Sequence, residues 1–349
     1  MAATSATAGL FKPKVRLSET VEKVAGLAIL VGLAVWIVIN FVKAPRQFFA
    51  VFLDGLNNGA LYALIALGYT LVYGIIELIN FAHGDLFMLS TVVAANFIAN
   101  LLHLNSPGLT AAFGLVLTLV VTMAFAALVN MGAEFFAYRR LRRAPKLAPL
   151  ITAVGLSFIF QNVGLQINGS TPKQWNSLIS DGGITISGVT IRYTLLVTLA
   201  VTIPLLLVLT YIVQRTRRGR AMRATAQDQD GARLMGINVD RTISFTFALG
   251  GAMAGAAGVL YVQVLGTTRF DAGYQLGLIA FTAAVLGGIG NLVGAVVGGV
   301  IIGIIQGLNE GLPYGLGQKW SQTVVFTVLI LLMVFKPEGL FGTKSTEKV

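Results

Sequence analysis

Long apolar runs alternate along the chain with short polar breaks, and that alternation predicts its elements. A hydrocarbon core needs about 20 helical residues to cross it. Runs of that kind fall near 24–42, 52–74, 86–104, 109–131, 148–168, 192–213, 241–265, 275–290, 292–310 and 321–336. The pattern predicts an all-α, polytopic membrane protein with about ten transmembrane helices. Several runs are interrupted by Gly, Asn or Pro, which leaves eight or nine spans plus a re-entrant piece as the alternative. Two joints are weak, the polar stretch 77–85 and the glycine-rich hairpin 287–294. The first run is longer than the about 7–15 residues of a signal-peptide core, and Lys43-Ala44-Pro45 is a poor cleavage site, so it is read as a retained helix. Residues 1–23 and 337–349 are predicted as polar tails flanking a single membrane domain over 24–336.

One polar break stands apart. The loop 214–240 is the longest strongly polar segment between two spanning runs, and a short helix can be read inside it. Asp228 or Asp230 suits an N-cap, because a carboxylate accepts the free N–H groups of a first helical turn. Gly236 suits the position after the helix, where the left-handed conformation favours glycine. Residues 231–235 give little more than a turn, and 220–226 can add a preceding one. The residues leave two readings open: a surface offered to another protein, or a basic loop that anchors two spans at the headgroups.

Composition agrees with the membrane reading. The 349 residues are 56% hydrophobic and only 11% charged, against roughly 25% charged in soluble domains. Mean hydropathy is +0.80. With no cysteine there is no disulfide, thiolate chemistry or cysteine-held metal. The two histidines, His83 and His103, are far apart. The net charge of +11 acquires meaning only by position. With the N-terminus inside, inner segments carry four Lys and Arg before residue 24, five over 132–147, seven over 215–241 and three at the C-terminus; outer segments carry six. Positive charge gathers on the cytoplasmic side of membrane proteins, so both termini and the 214–240 loop are expected there. The loop 169–191, with Trp175 and the turn-like Asp181-Gly182-Gly183, is expected outside.

Glycines recur every four residues at Gly290, Gly294 and Gly298, at Gly299, Gly303, Gly307 and Gly311, and at Gly251 and Gly255. Residues four apart share a helix face, and a glycine face lets helices pack closely where lipid supplies no hydrophobic drive between them. Such a face also suits an interface that shifts between two packings. Polar residues inside apolar runs carry the remaining chemistry. Asn57 and Asn58 fall three and four residues after Asp54, roughly on its face. Asn80, His83 and Asp85 lie in the 77–85 stretch. Polar groups at depth are expensive unless paired or facing a cavity. These five residues are therefore candidates for a translocation path, with 77–85 as a broken segment beside it. The plainer reading is a cytoplasmic turn in which Asn80 or Asp85 caps the next helix, and the charge distribution favours that turn slightly. For a lone His83, a hydrogen-bonded structural role outweighs a proton relay. Gln161, Asn162, Gln306, Asn309 and Glu310 can line a path or bond helix to helix. The tail 339–345 lacks the spacing and Gly-Lys pair of a phosphate loop.

The runs ALYALIALGYTLVYGIIELINFAHGDLFML, GRAMRATAQDQDGARLMGINVDR, FTAAVLGGIGNLVGAVVGG and KPEGLFG occur in that order. Together they resemble the permeases of bacterial branched-chain amino acid ABC importers, the LivH-like group, over most of the chain from about residue 52. The first span looks like an extension. The resemblance implies a permease of the bacterial inner membrane that imports leucine, isoleucine and valine, or, in the same class, urea, short amides or other amino acids. It implies a second permease subunit as heterodimer partner, two ABC ATPase subunits, an extracytoplasmic substrate-binding protein and surrounding membrane lipid, with no nucleic acid. No cofactor is expected on this chain, ATP and magnesium being held by the ATPases. The 214–240 loop would be the coupling region, with Asp228, Ala232, Leu234, Met235 and Gly236 as ATPase contacts. Gly290, Gly294, Gly298, Gly303 and Gly307 would be helix-packing positions. An ion-coupled secondary transporter needs a coupling site at the midplane, and the midplanes here are nearly charge-free. A passive channel leaves the capped loop without a role.

Overall fold

The computed structural model describes residues 19–77, 80–104, 106–142, 144–145 and 147–342. In chain order its helices begin with α1 (Glu19–Lys43), α2 (Pro45–Ile76), α3 (Ala82–Asn96) and α4 (Leu109–Ala133), then the single turn α5 (Arg139–Leu141), α6 (Leu147–Asn168) and α7 (Tyr193–Arg215). They continue with α8 (Arg217–Gln227), α9 (Gln229–Leu234), α10 (Val239–Leu265), α11 (Ala272–Gly287), α12 (Leu292–Gly311) and α13 (Ser321–Phe335). π-Helical turns extend α3 over Phe97–Leu101 and join α4 to α5 over Glu134–Tyr138. Among the described residues, nine helices are long and apolar enough to span a membrane, and α11 is a shorter apolar one. All ten apolar runs of the sequence correspond to these helices, so the chain is a multi-pass membrane protein.

The fold is all-α as expected, with four short strands beside the helices among the described residues. β1 (Lys173–Gln174) pairs with β4 (Thr267–Thr268), and β2 (Gly183–Ile186) forms a hairpin with β3 (Val189–Arg192). Ser187 and Gly188 turn that hairpin with φ of 52° and 83°, the paired positive values that match the twist of a two-residue connection.

Boundaries move where side chains decide them. Pro45 occupies the first turn of α2, where its missing N–H costs nothing. The second span therefore starts well before residue 52, and Ala44 alone separates it from α1. At the other end Glu77 takes a left-handed conformation, φ 52°, and its N–H closes on the Tyr73 carbonyl. The last four residues of the polar stretch 77–85 are helical: α3 begins at Ala82, and neither Asn80 nor Asp85 caps it. Residues 19–23 already belong to α1, so the predicted N-terminal tail is shorter, and its residues 1–18 lie outside the described ones. Of the C-terminal tail, 343–349 lie outside them as well. Residues 337–342 pack back on the α11–α12 hairpin: the N–H groups of Leu340 and Phe341 donate to the carbonyls of Leu286 and Gly287 at 2.8 and 3.1 Å.

α2 is the axis of the bundle. Its most apolar window is 83% buried, while that of α1 is 6% buried. α12 lies against α2 along glycines: a Cβ on Gly307 would sit 2.7 Å from Gly55 Cα, one on Gly303 would collide with the backbone of Gly59, and one on Gly299 would sit 2.6 Å from Ala63 Cα. The other glycine row of α12 turns to α11, where Gly298 meets Ala283, and Gly294 meets Gly287. Gly251 and Gly255 of α10 rest on Ala126 and Thr122 of α4 in the same way. Gly290 departs from the predicted role. It sits in the α11–α12 turn at φ 93° with open space where a side chain would go, so backbone conformation, not packing, calls for glycine there. Gly55 and Gly59 carry the same four-residue spacing and supply half of the α2–α12 contact.

Candidate functional site

The polar loop folds into two short helices joined by a corner. Thr216 caps α8 by accepting from the Gly219 N–H at 3.1 Å, and Asp228 caps α9 by accepting from the Asp230 N–H at 3.0 Å. Of the two carboxylates proposed as caps it is Asp228 that serves; Asp230 lies in the first turn and pairs with Arg233 at 2.7 Å. Gly231 lies within α9. Gly236 follows the helix at φ 78°, as its type suggests, and its N–H donates to Arg233 O at 3.0 Å. Asn238 then caps α10 by accepting from the Arg241 N–H.

This arrangement divides the five residues expected at the coupling surface. Leu234 and Met235 are 89% and 83% exposed. They are large apolar side chains at the tip of a polar element, which marks an interaction surface when such residues cluster. Ala232 is only 5% exposed and packs in the main hydrophobic core. It fixes α9 to the bundle and is not part of the exposed tip. Asp228 and Gly236 shape the ends of the element. α8 in turn rests on α7, α10 and α2, so the element joins three spans directly.

The five candidate path residues do not form one cluster. Asn57 is buried in the first half of α2 with its Oδ1 lacking a protein partner, and Asn58 is half-buried beside it. Gly68, which lies against His83, is eleven residues further along α2, about 16 Å at 1.5 Å per residue. The other three residues are engaged within the bundle. Asn80 Oδ1 accepts from the Tyr138 hydroxyl at 2.7 Å. His83 lies edge-on to Tyr69, 4.8 Å between ring centroids. The Ile65 backbone approaches its ring, but neither ring nitrogen reaches hydrogen-bond geometry. Asp85 is wholly buried in α3; the Ser157 hydroxyl donates to its Oδ2 and the Gln161 amide to its Oδ1 at 3.1 Å, both from α6. In this conformation these three residues tie α3 to its neighbours rather than facing open space.

The remaining candidates also separate. The Tyr62 hydroxyl donates to Gln306 at 2.7 Å, and Gln306 donates to Glu310 at 2.9 Å, which links α2 and α12. Asn309 holds the loop after α12 through Leu316 N and Gly317 O. Asn162 bonds its own helix at Phe158 O.

A charged cluster near the two-helix element was not singled out in the sequence. Glu134 is wholly buried in the π-helical turn. Its carboxylate meets Arg142 and accepts from Arg139 at 3.0 Å and from the Ser244 hydroxyl at 2.5 Å; Arg142 also reaches Asp240 at 2.5 Å. Asp240 and Ser244 lie in the first turns of α10, which α9 leads into, so the cluster fastens α4 to the helix that follows α9. Glu134 follows an apolar run and precedes a basic one, which gives a sequence reading no sign of burial; only the π turn and the approach of α10 create it. Among the described residues no group of His, Cys, Asp and Glu could hold a metal ion.

The structure is thus a bundle of apolar helices packed through glycine faces, carrying a capped two-helix element with an exposed apolar tip. Residues 51–334 match the family model described as the permease component of branched-chain amino acid transport systems, and the chain belongs to that family. It is 37% identical over 302 residues to the high-affinity branched-chain amino acid transport system permease protein BraD of Pseudomonas aeruginosa, covering 85% of this chain and 96% of the relative. It is 38% identical over 304 residues to the corresponding LivH of Escherichia coli, with the same coverage. A more distant likeness, 29% over 186 residues and 52% of this chain, is to the autoinducer 2 import system permease protein LsrC of Yersinia enterocolitica. No solved structure matches. The family match begins after α1.

Proposed function

We propose that this chain is one of two permease subunits of an ABC importer that takes up leucine, isoleucine and valine, handed over by an extracytoplasmic binding protein. The observation that carries the coupling half of this reading is the pair Leu234 and Met235, exposed at the tip of an element that touches three spans. The identity to permeases named for branched-chain amino acids supports the substrate. The arginine-rich end of the bundle then faces the cytoplasm of a bacterial cell, with both termini on that side, and residues 24–336 act as one membrane unit. Two ATPase subunits hold the ATP and magnesium, so the permease performs no covalent chemistry. Closure of the ATPases moves α9, and α8 and α10 carry that movement into the bundle. The movement drives transport only if it favours one packing of the helices over another, and the α2–α12 glycine interface is a place where such a shift meets little side-chain obstruction.

The test is reconstitution of the complete importer in vesicles with a panel of binding-protein substrates. Leu234→Asp with Met235→Asp should abolish ATP-driven uptake and weaken co-purification of the ATPases, while insertion stays normal. Full uptake by that variant would exclude docking at this tip. Uptake of urea or a short amide in preference to leucine would overturn the substrate.

A further inference from the structure

On the arginine-rich end, a groove of about 520 Å³ lies between α4, α8 and the start of α10. Its floor is apolar, made by Met131 of α4, Ala221 of α8, and Phe245 and Ala248 of α10; Arg218 and Arg241 stand among its lining residues. The Arg218 guanidinium lies 4.7 Å from the centre of the Phe245 ring, which holds the cation over the apolar floor. Among the described residues neither arginine pairs with a carboxylate, and no acidic residue lines the groove. The nearby carboxylates are spoken for: Asp240 meets Arg142, and Glu134 meets Arg139 and Arg142.

Beside the groove, α4 carries exposed apolar side chains. Leu128 and Phe135, three residues before Met131 and four after it, share its helix face and are 63% and 50% exposed. The opposite face of α4 is the packed one, with Thr122, Ala126 and Asn130 against α10. The Phe245 and Ala248 positions lie six and nine residues into the spanning helix α10, about 9 to 14 Å along its axis. An apolar trough that opens along a spanning helix and ends in two unpaired guanidinium groups suits a molecule with a long apolar tail and an anionic head. Guanidinium groups bind phosphate oxygens through paired, charge-assisted hydrogen bonds.

We propose that this groove is a phospholipid site: an anionic phospholipid sets its phosphate between Arg218 and Arg241 and lays one acyl chain over Phe245, Met131 and the Leu128 stripe of α4. The lipid braces α8 against α10 and α4, beside the cluster that fastens α10 to α4. The assignment needs only the membrane-spanning bundle, not the transported substrate.

Lipid retention tests it without a transport assay. The full chain is delipidated in detergent, offered phosphatidylglycerol or phosphatidylcholine, and the bound lipid is counted by native mass spectrometry. Wild type should retain phosphatidylglycerol in preference. Arg218→Gln with Arg241→Gln should lower that retention about tenfold, as expected for losing a charge-assisted contact worth more than 1.4 kcal/mol. Ala248→Trp, which fills the floor and leaves both charges, should lower retention of both lipids. Arg233→Gln, at an arginine outside the groove, should change neither. Equal phosphatidylglycerol retention by wild type and the double Arg variant, with both folded by thermal melting, would overturn the site. So would a photoreactive group at position 248 that labels a protein partner and no lipid in the assembled importer.

Discussion

Asp85 shows what a single carboxylate does inside this bundle. Its two oxygens are met by a hydroxyl and an amide from α6, so it works as an acceptor that joins two helices. Asp85→Leu removes both acceptors and leaves the Ser157 and Gln161 donors unsatisfied, a loss of about 1–3 kcal/mol. Asp85→Asn keeps an acceptor for Gln161 and a donor for Ser157. Melting of the purified protein, followed by tryptophan fluorescence, should fall clearly for the Leu variant and little for the Asn variant. An Asn variant that melts like wild type yet fails to transport would mean that the charge itself is used. Asn57 makes the opposite case, a buried polar side chain whose Oδ1 no protein group satisfies. Asn57→Leu should leave the subunit assembled and lower uptake, if water or substrate is what its oxygen faces. At this scale the sequence was a fair guide to which residues are special and a poor guide to their partners. Asp85, Ser157 and Gln161 are 72 and 76 positions apart, and no local pattern announces such a pairing. Ala232, expected at the docking face through the family resemblance, makes its contact with the protein's own core.

Between elements, the contrast is between ion pairs that are enclosed and ion pairs that are exposed. Arg142 bridges buried Glu134 and Asp240, while Arg233 and Asp230 pair on the surface of α9. Removing one partner of a buried pair costs about 3–5 kcal/mol, less here because Arg139 and Ser244 remain with Glu134. An exposed pair contributes about 0–1 kcal/mol. Arg142→Ala should therefore lower the melting temperature measurably and Arg233→Ala hardly at all. If the cluster also relays movement from α9 to α4, Arg142→Ala should retain ATPase binding and lose the coupling of hydrolysis to uptake. Gly303→Val, at the α2–α12 crossing, should prevent accumulation of folded protein. Gly290→Ala meets no neighbour and costs only the left-handed backbone, about 1–2 kcal/mol. Both glycines belong to four-residue series in the sequence. Periodicity alone did not tell them apart, because it counts spacing and is blind to where a helix stops.

For the whole molecule, the spans, their order and the capped loop were legible because hydropathy and capping are local signals. The four strands, the packing of 337–342 onto α11 and α12, and the burial of Glu134 were not, since each depends on what arrives from elsewhere in the chain. α1 lies before the family match and meets the rest of the chain mainly at its far end. There the Trp36 indole donates to Tyr314 O at 2.7 Å, the Tyr314 N–H donates to Asn40 Oδ1 at 3.3 Å, and Lys43 reaches the Tyr314 hydroxyl at 3.0 Å. Deletion of residues 1–43 should leave a bundle that still inserts and elutes as a single folded species. A deletion variant that aggregates would make α1 part of the core after all.

The unequal lengths of the helices decide which of them the bilayer can press on. α2 has 32 residues and is about 48 Å long, well beyond a hydrocarbon core of about 30 Å, but its neighbours enclose it and lipid barely touches it. α13 has 15 residues and is preceded by a 3-10 turn over Gln318–Trp320; together they form an 18-residue span of about 28 Å that is only 11% buried. Hydrophobic mismatch is therefore felt at this exposed rim span, where thicker membranes must pinch inward or pull α13 into a steeper stance. Since α13 packs on α11 and α12, acyl-chain length becomes a mechanical input to the α11–α12 hairpin, while the long central helix stays indifferent to it.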